Sequence, residues 1–176
     1  MTESYIPYQV SLSLWTAASL SADMAHALGH VGVDLSRSEV NNGRLTAART
    51  ADGAIVLKLS LDRCCYGLTE VEGILATARL NGVGYVAWEL KGDEITGIGR
   101  SYDPLNGERE FTVTANGEPV LTLGDLDAFE HVGTAAALLR HMQSVLRLPE
   151  PQKIEELDPG SLSILIEDHE EGGGVS

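Results

Sequence analysis

Apolar and polar positions alternate from Tyr8 to Trp15: Val10, Leu12 and Leu14 point one way, Gln9, Ser11 and Ser13 the other. A period of two predicts a half-buried strand. The spacing then changes. Leu20, Met24, Ala27 and Leu28 fall on one side of a helical wheel, with Ser19 or Ser21 as cap and Asp23 in the first turn. This predicts a short amphipathic helix ending at Gly29. Residues 30–43 read as loop. A hairpin follows, with arms 44–50 and 54–61 about Ala51-Asp52-Gly53; Ile55, Leu57, Leu59 and Leu61 share a face of its second arm. Thr69 and Glu72 have capping-box spacing for a helix over 70–80, which carries Val71, Ile74, Leu75 and Ala78 as its stripe and stops at Asn81-Gly82.

Beyond residue 83 the period returns to two. Segments 85–90, 94–102, 109–115 and 119–123 predict four short strands, joined at Lys91-Gly92-Asp93, Pro104-Leu105-Asn106-Gly107 and Asn116-Gly117. Asp125 is placed to cap a helix over 126–147, with Leu126, Phe129, Leu138, Leu139, Met142 and Leu146 on its apolar side, Arg140 and Arg147 near its C-terminus and Pro149 ending it. Pro149, Pro151 and Pro159 then mark 149–160 as a linker ahead of a short apolar run, Leu162–Ile166. Gly172-Gly173-Gly174 opens a stretch expected to be disordered, 172–176.

The expected fold class is therefore α+β. An antiparallel sheet of six or seven strands, a ferredoxin-like core plus a β-meander, is packed by three helices and followed by an acidic C-terminal tail. Residues 1–148 form one domain and 149–176 the tail.

Composition adds a sign to this picture. The chain of 176 residues is 43% hydrophobic but only 5% aromatic, and its net charge is −14. The charge is lopsided: residues 1–100 hold 11 acids and 8 bases, residues 101–176 hold 15 acids and 4 bases. Such a field repels phosphate backbones and anionic lipid and draws basic partners. Direct nucleic-acid binding is not expected, since Arg37, Arg44, Arg49, Lys58 and Arg63 are interspersed with acids. No secretion signal precedes the first strand, and no apolar run approaches the roughly 20 residues of a membrane span, so a cytoplasmic protein without membrane contact is expected. Adjacent Cys64 and Cys65 are poorly placed to bridge one another, which fits a reducing compartment.

Part of the chain has a familiar look. The helix ending in Asn81-Gly82-Val83-Gly84-Tyr85, the hairpin after it, Arg109-Glu110-Phe111-Thr112-Val113 and Asn116-Gly117-Glu118-Pro119-Val120 together resemble small uncharacterised accessory proteins of phages and mobile elements, over residues 70–126. That resemblance implies a host-interacting or regulatory role and brings no catalytic residue with it.

Candidate chemistry is sparse. His26 and His30 lie four apart, a metal-ligand spacing on a helix, with Asp23 and Asp34 in step; Gly29 and Gly32 are expected to end the helix before His30 joins, so no metal is assigned. Cys64 and Cys65 precede a helix start but lack a neighbouring histidine. Gly97-Ile98-Gly99 sits in a strand pattern, not ahead of a helix, which excludes a phosphate loop. No catalytic residue and no cofactor is expected.

Charge and strand propensity instead point to partner contact through Asp125, Asp127, Glu130, Glu155, Glu156, Asp158, Leu162, Ile164, Ile166, Glu167, Asp168, Glu170 and Glu171. The expected function is a non-enzymatic inhibitory or regulatory protein binding a basic partner, with mimicry of DNA as one form. The alternatives are a small metal- or thiol-dependent enzyme, and a self-assembling structural component of undetermined oligomeric state.

Overall fold

In the computed structural model, residues 6–16, 19–35, 44–92, 94–127, 134–158 and 162 are described. Among them are eight strands in one antiparallel sheet and four helices. Strands β1 (Tyr8–Thr16), β2 (Leu45–Thr50), β3 (Ile55–Cys64), β4 (Gly84–Lys91), β5 (Thr96–Asp103), β6 (Gly107–Thr114), β7 (Pro119–Val120) and β8 (Lys153–Leu157) lie in the order β7-β6-β5-β4-β1-β3-β2-β8. Helices α1 (Ala22–His30) and α2 (Glu72–Leu80) connect β1 to β2 and β3 to β4 and pack against each other; α3 (Leu123–Asp127) and α4 (Ala135–Leu146) follow the sheet's meander. The mixed α+β class and the antiparallel sheet are as expected.

The register explains the core. Leu12 pairs with Leu59 on one side and Ala87 on the other, and Leu14 with Leu57 and Tyr85. Directly paired residues share a face, so these side chains form one apolar floor. Met24 and Leu28 of α1 and Ile74 and Leu75 of α2 close over it, all fully buried. Each such side chain contributes roughly 1.5–3 kcal/mol by leaving water.

The opposite face of β1 is not the polar exterior that alternation suggests. Ser11, Ser13, Val56, Val86, Ser101 and Val113 are buried there. Arg109 stands in the same cross-strand row as Ser101, Val86 and Ser13, and its guanidinium donates to the Ser144 carbonyl of α4. So α4 lies on the side away from α1 and α2, against the β6–β7 end of the sheet. Gly84 belongs to this layer: a Cβ there would collide with the Trp15 indole, so the ring lies directly over bare backbone.

Several boundaries differ from the sequence reading. Helix α1 runs through Gly29 to His30; Gly32, with φ of 79°, supplies the left-handed turn after it, while Val33 N–H donates to the Leu28 carbonyl and Gly32 N–H to that of Gly29. This is a Schellman close, so the stopping glycine is the second, not the first. Glycine inside a helix costs about 1 kcal/mol relative to alanine, and burial of Met24, Ala27 and Leu28 offsets that. The helix expected over 70–80 begins as a 3-10 turn, Gly67–Val71, before α2. Thr69 and Glu72 form no capping box; the Glu70 carboxylate reaches back to the Cys65 and Tyr66 amides instead.

The helix expected over 126–147 is two helices. Thr122 caps α3 in a reciprocal pair with Asp125, Asp125 N–H donating to Thr122 Oγ1 while the Asp125 carboxylate accepts from Thr122 N–H. Thr134 caps α4 through the Ala137 amide; residues 128–133 lie outside the described residues. Finally, the expected linker over 149–160 contains β8, which pairs with β2 from Ala47↔Leu157 to Thr50↔Lys153. The sheet therefore extends past residue 148, and the strand count is eight where six or seven were expected.

Candidate functional site

The predicted partner-contact residues do not converge. Asp125 and Asp127 sit on α3, just beyond β7, at one end of the strand order; Glu155, Glu156 and Asp158 sit on or beside β8 at the other. With seven inter-strand steps of about 4.8 Å, the two edges are roughly 34 Å apart along the sheet. Asp125 is also committed to capping α3. Glu130, Ile164, Ile166, Glu167, Asp168, Glu170 and Glu171 lie outside the described residues. Leu162 is 1% exposed and belongs to the protein's own core. Its side chain is not offered to a partner, which corrects its assignment as a contact residue.

What remains together is the β8 edge. Among the described residues no strand pairs with the outer side of β8. Lys153, Ile154, Glu155 and Glu156 are all exposed. Glu155 faces Arg49 of β2 at 3.7 Å, both side chains in water, which stabilises by less than about 1 kcal/mol. Glu156 and Ile154 alternate with it along the strand, so the edge presents acid on both faces and one apolar side chain. Ile154, 64% exposed, was missed by the sequence reading, because it lies among prolines and charges in what reads as linker.

Two of the cations spaced along the β2–β3 hairpin lie on opposite faces of the sheet. Lys58 pairs with Ser13 and Thr46 on the α4 side of the sheet, whereas Arg49 pairs with Ile55 and Glu155 on the α1–α2 side.

A second charged assembly, unforeseen in the sequence, lies beside α2. Arg79 donates to Glu108 at 2.6 Å, to the Tyr85 hydroxyl at 2.9 Å and to Glu72 at 3.0 Å; Arg100 donates to Glu72 at 2.9 Å and lies 3.6 Å from Glu110. The Tyr85 hydroxyl in turn donates to Glu108, and its ring stacks on Tyr102 at 5.7 Å. Desolvation, reinforced by the Glu108 carboxylate, raises the Tyr85 phenol well above its ordinary value. For Arg79 burial opposes the charge, but Glu72, Tyr85 and Glu108 outweigh it and the guanidinium is held charged. Every member has a partner within the molecule, so this is a clamp between α2 and strands β4–β6. It has the pattern of a structural network, with no reacting group directed at open space.

The cysteines take the bland role. Cys64 is buried at the end of β3 and Cys65 is exposed. Burial, with Glu70 and Asp62 nearby, pushes the Cys64 thiol up to about 11, the reverse of what a nucleophile needs. A thiol enzyme built on Cys64 is not supported.

The histidines do come together. Continuation of α1 through residue 30 puts the Nε2 atoms of His26 and His30 3.2 Å apart, with ring centroids 4.6 Å apart and planes at 80°. They open into a groove of about 430 Å³ between α1 and α2, whose other walls include Asp23, Glu70, Thr77 and Leu80. Among the described residues no group of three or more histidine, cysteine or acidic side chains forms a metal cage.

No family model matches the chain, and neither the curated proteins nor the solved structures yield a significant match.

Proposed function

We propose that this chain is a non-enzymatic binding protein that engages a basic protein partner at its acidic β8 edge. The observation that carries this reading is a strand that is outermost among the described residues, with carboxylates on both faces. A partner strand or loop adding there would gain main-chain hydrogen bonds from the edge and charge complementarity from Glu155, Glu156 and Asp158. The acidic second half of the chain would speed the encounter.

Self-assembly through the same edge is disfavoured in the register centred on Glu155, though not in the one centred on Ile154, which sets Ile154 against Ile154 and Lys153 against Glu155. Antiparallel pairing of two β8 strands centred on Glu155 sets Glu155 against Glu155 and Ile154 against Glu156, and like charges directly opposite are destabilising. A basic segment removes that penalty. Mimicry of a nucleic-acid backbone is the narrower form of the proposal, in which the carboxylates from Glu155 to Glu171 occupy a DNA site on a host enzyme. The order β4-β1-β3-β2, with α1 and α2 as crossovers, supports reading the first six elements as a ferredoxin-like sandwich. The resemblance of residues 70–126 to accessory proteins of phages and mobile elements implies a host-interacting or regulatory role, which this reading shares. No helix among the described residues is long and apolar enough to cross a membrane.

The test is affinity capture from extracts of the producing cells, comparing wild type with a Glu155→Gln/Glu156→Gln double variant at about 50 mM and 500 mM salt. These concentrations bracket strong and weak screening. A basic protein retained by wild type at low salt, released at high salt and lost by the variant supports the proposal; its displacement by duplex DNA supports mimicry. If instead the variant retains the same proteins and merely self-associates, the acids only guard the edge against aggregation, and the proposal fails.

A further inference from the structure

We propose that His26 and His30 of α1 form a two-histidine site for a divalent transition-metal ion, Cu2+ held more tightly than Zn2+. Gly29 and Gly32, expected to end the helix before His30 joins it, do not: α1 continues through Gly29 to His30. In a continuous helix the i and i+4 side chains share a face. Here their Nε2 atoms already approach to 3.2 Å. A metal held by two nitrogens at about 2.0–2.1 Å sets them roughly 3.3–3.4 Å apart at a tetrahedral angle and roughly 2.9 Å at a right angle. The observed separation lies between these values, so a metal is reached by turning the rings about their own bonds without moving the helix backbone.

The donor set selects the ion. Imidazole nitrogens suit copper, zinc and nickel, whereas Mg2+ and Ca2+ require oxygen cages. Both rings are exposed at the mouth of the α1–α2 groove, so the ion has a direct entry path. Asp23, one turn ahead of His26, and Glu70 on the facing wall line the same groove. They add negative potential that concentrates cations near the rings. Water fills the remaining coordination positions, since no third ligand stands in place among the described residues. The site is therefore exchangeable.

Proton bookkeeping is simple. In the neutral pair one Nε2–H donates to the other Nε2. Coordination requires both Nε2 lone pairs, so the donor histidine shifts its proton to its own Nδ1 through solvent, and no proton leaves the pair.

The experiment uses the full chain and the metal alone. Equilibrium dialysis or calorimetric titration with CuCl2 and then ZnCl2 is compared for wild type, His26→Ala and His30→Ala, with circular dichroism as a fold control. Both histidines are exposed, so the variants are expected to fold. One equivalent should bind, Cu2+ ahead of Zn2+, and each variant should weaken it on the order of 10- to 100-fold, at least the cost of losing a ligand's supporting partner. Electron paramagnetic resonance of the Cu2+ complex should show two coordinated nitrogens, falling to one in either variant. Absence of binding at ion concentrations of about 1 mM, or stoichiometric binding undiminished in both variants, overturns the proposal. The latter would assign the ion to ligands outside α1, such as the other histidines or Cys65. Because the site lies on α1 and not on β8, its failure leaves the partner-binding proposal untouched.

Discussion

Replacing Leu162 with alanine asks whether the chain beyond β8 is a loose tail or part of the folded domain. The Leu162 side chain is 1% exposed and sits in the same cluster as Leu12, Leu57 and Leu75. Truncating a buried leucine removes transfer free energy and leaves a cavity, together about 2–5 kcal/mol. Set against a typical total stability of about 5–15 kcal/mol, this is a large fraction. For a chain of this size each kcal/mol shifts Tm by roughly 2–4 °C, so a loss near 3 kcal/mol lowers Tm by roughly 6–12 °C. Urea denaturation and differential scanning calorimetry measure both quantities. Leu105→Ala is the control: Leu105 is 93% exposed, and the change should stay within about 0.5 kcal/mol. If Leu162→Ala behaves like Leu105→Ala, residue 162 is not in the core and the domain ends with β8.

Other outcomes follow from the same geometry. Tyr85→Phe removes the hydroxyl that bridges Arg79 and Glu108; urea titration should show a loss of about 1–2 kcal/mol, and no loss would mean the clamp is idle. Iodoacetamide at neutral pH should label Cys65 rapidly and Cys64 only on unfolding, since Cys64 is buried and its thiol resists ionisation; equal labelling rates by mass spectrometry would contradict its burial. The same thiol sets a pH dependence. Its folded value, about 11, exceeds the ordinary 9.0, so the folded state retains a proton that the unfolded chain has lost. Stability should therefore fall as pH rises from about 9 to about 11, less steeply in Cys64→Ala; equal slopes in the two proteins would remove Cys64 as the cause.

Local pattern was enough for the strands through β7 and insufficient for the segment after them. Strands β1 to β4 and the stripes of α1 and α2 are legible because each buries a face with its own period, whatever lies opposite. Strand β8 is illegible for the converse reason. Lys-Ile-Glu-Glu-Leu between prolines carries no alternation of its own, and it is a strand because the edge of β2 accepts it. Leu162 opens a short apolar run, and its burial depends on where that strand ends. The break between α3 and α4 did have a signal: Gly133-Thr134 combines a breaker with a cap, and Thr134 does cap α4. For the sites, the spacing of His26 and His30 was visible, but their meeting depended on Gly32, not Gly29, closing the helix. The distance between Asp125 and Glu155 could not be read from the chain, because strand order puts the neighbours of β7 and β8 at opposite edges.

The most direct measurement of the central claim is amide hydrogen exchange of the protein alone and in complex with the basic partner recovered by affinity capture. Amides of Lys153–Leu157 that make no bond to β2 should exchange fast in the free protein and slow on binding, with the effect diminishing as salt rises. Slowing confined to α3, α4 or the α1–α2 groove, with β8 unchanged, would place the partner elsewhere and contradict the account.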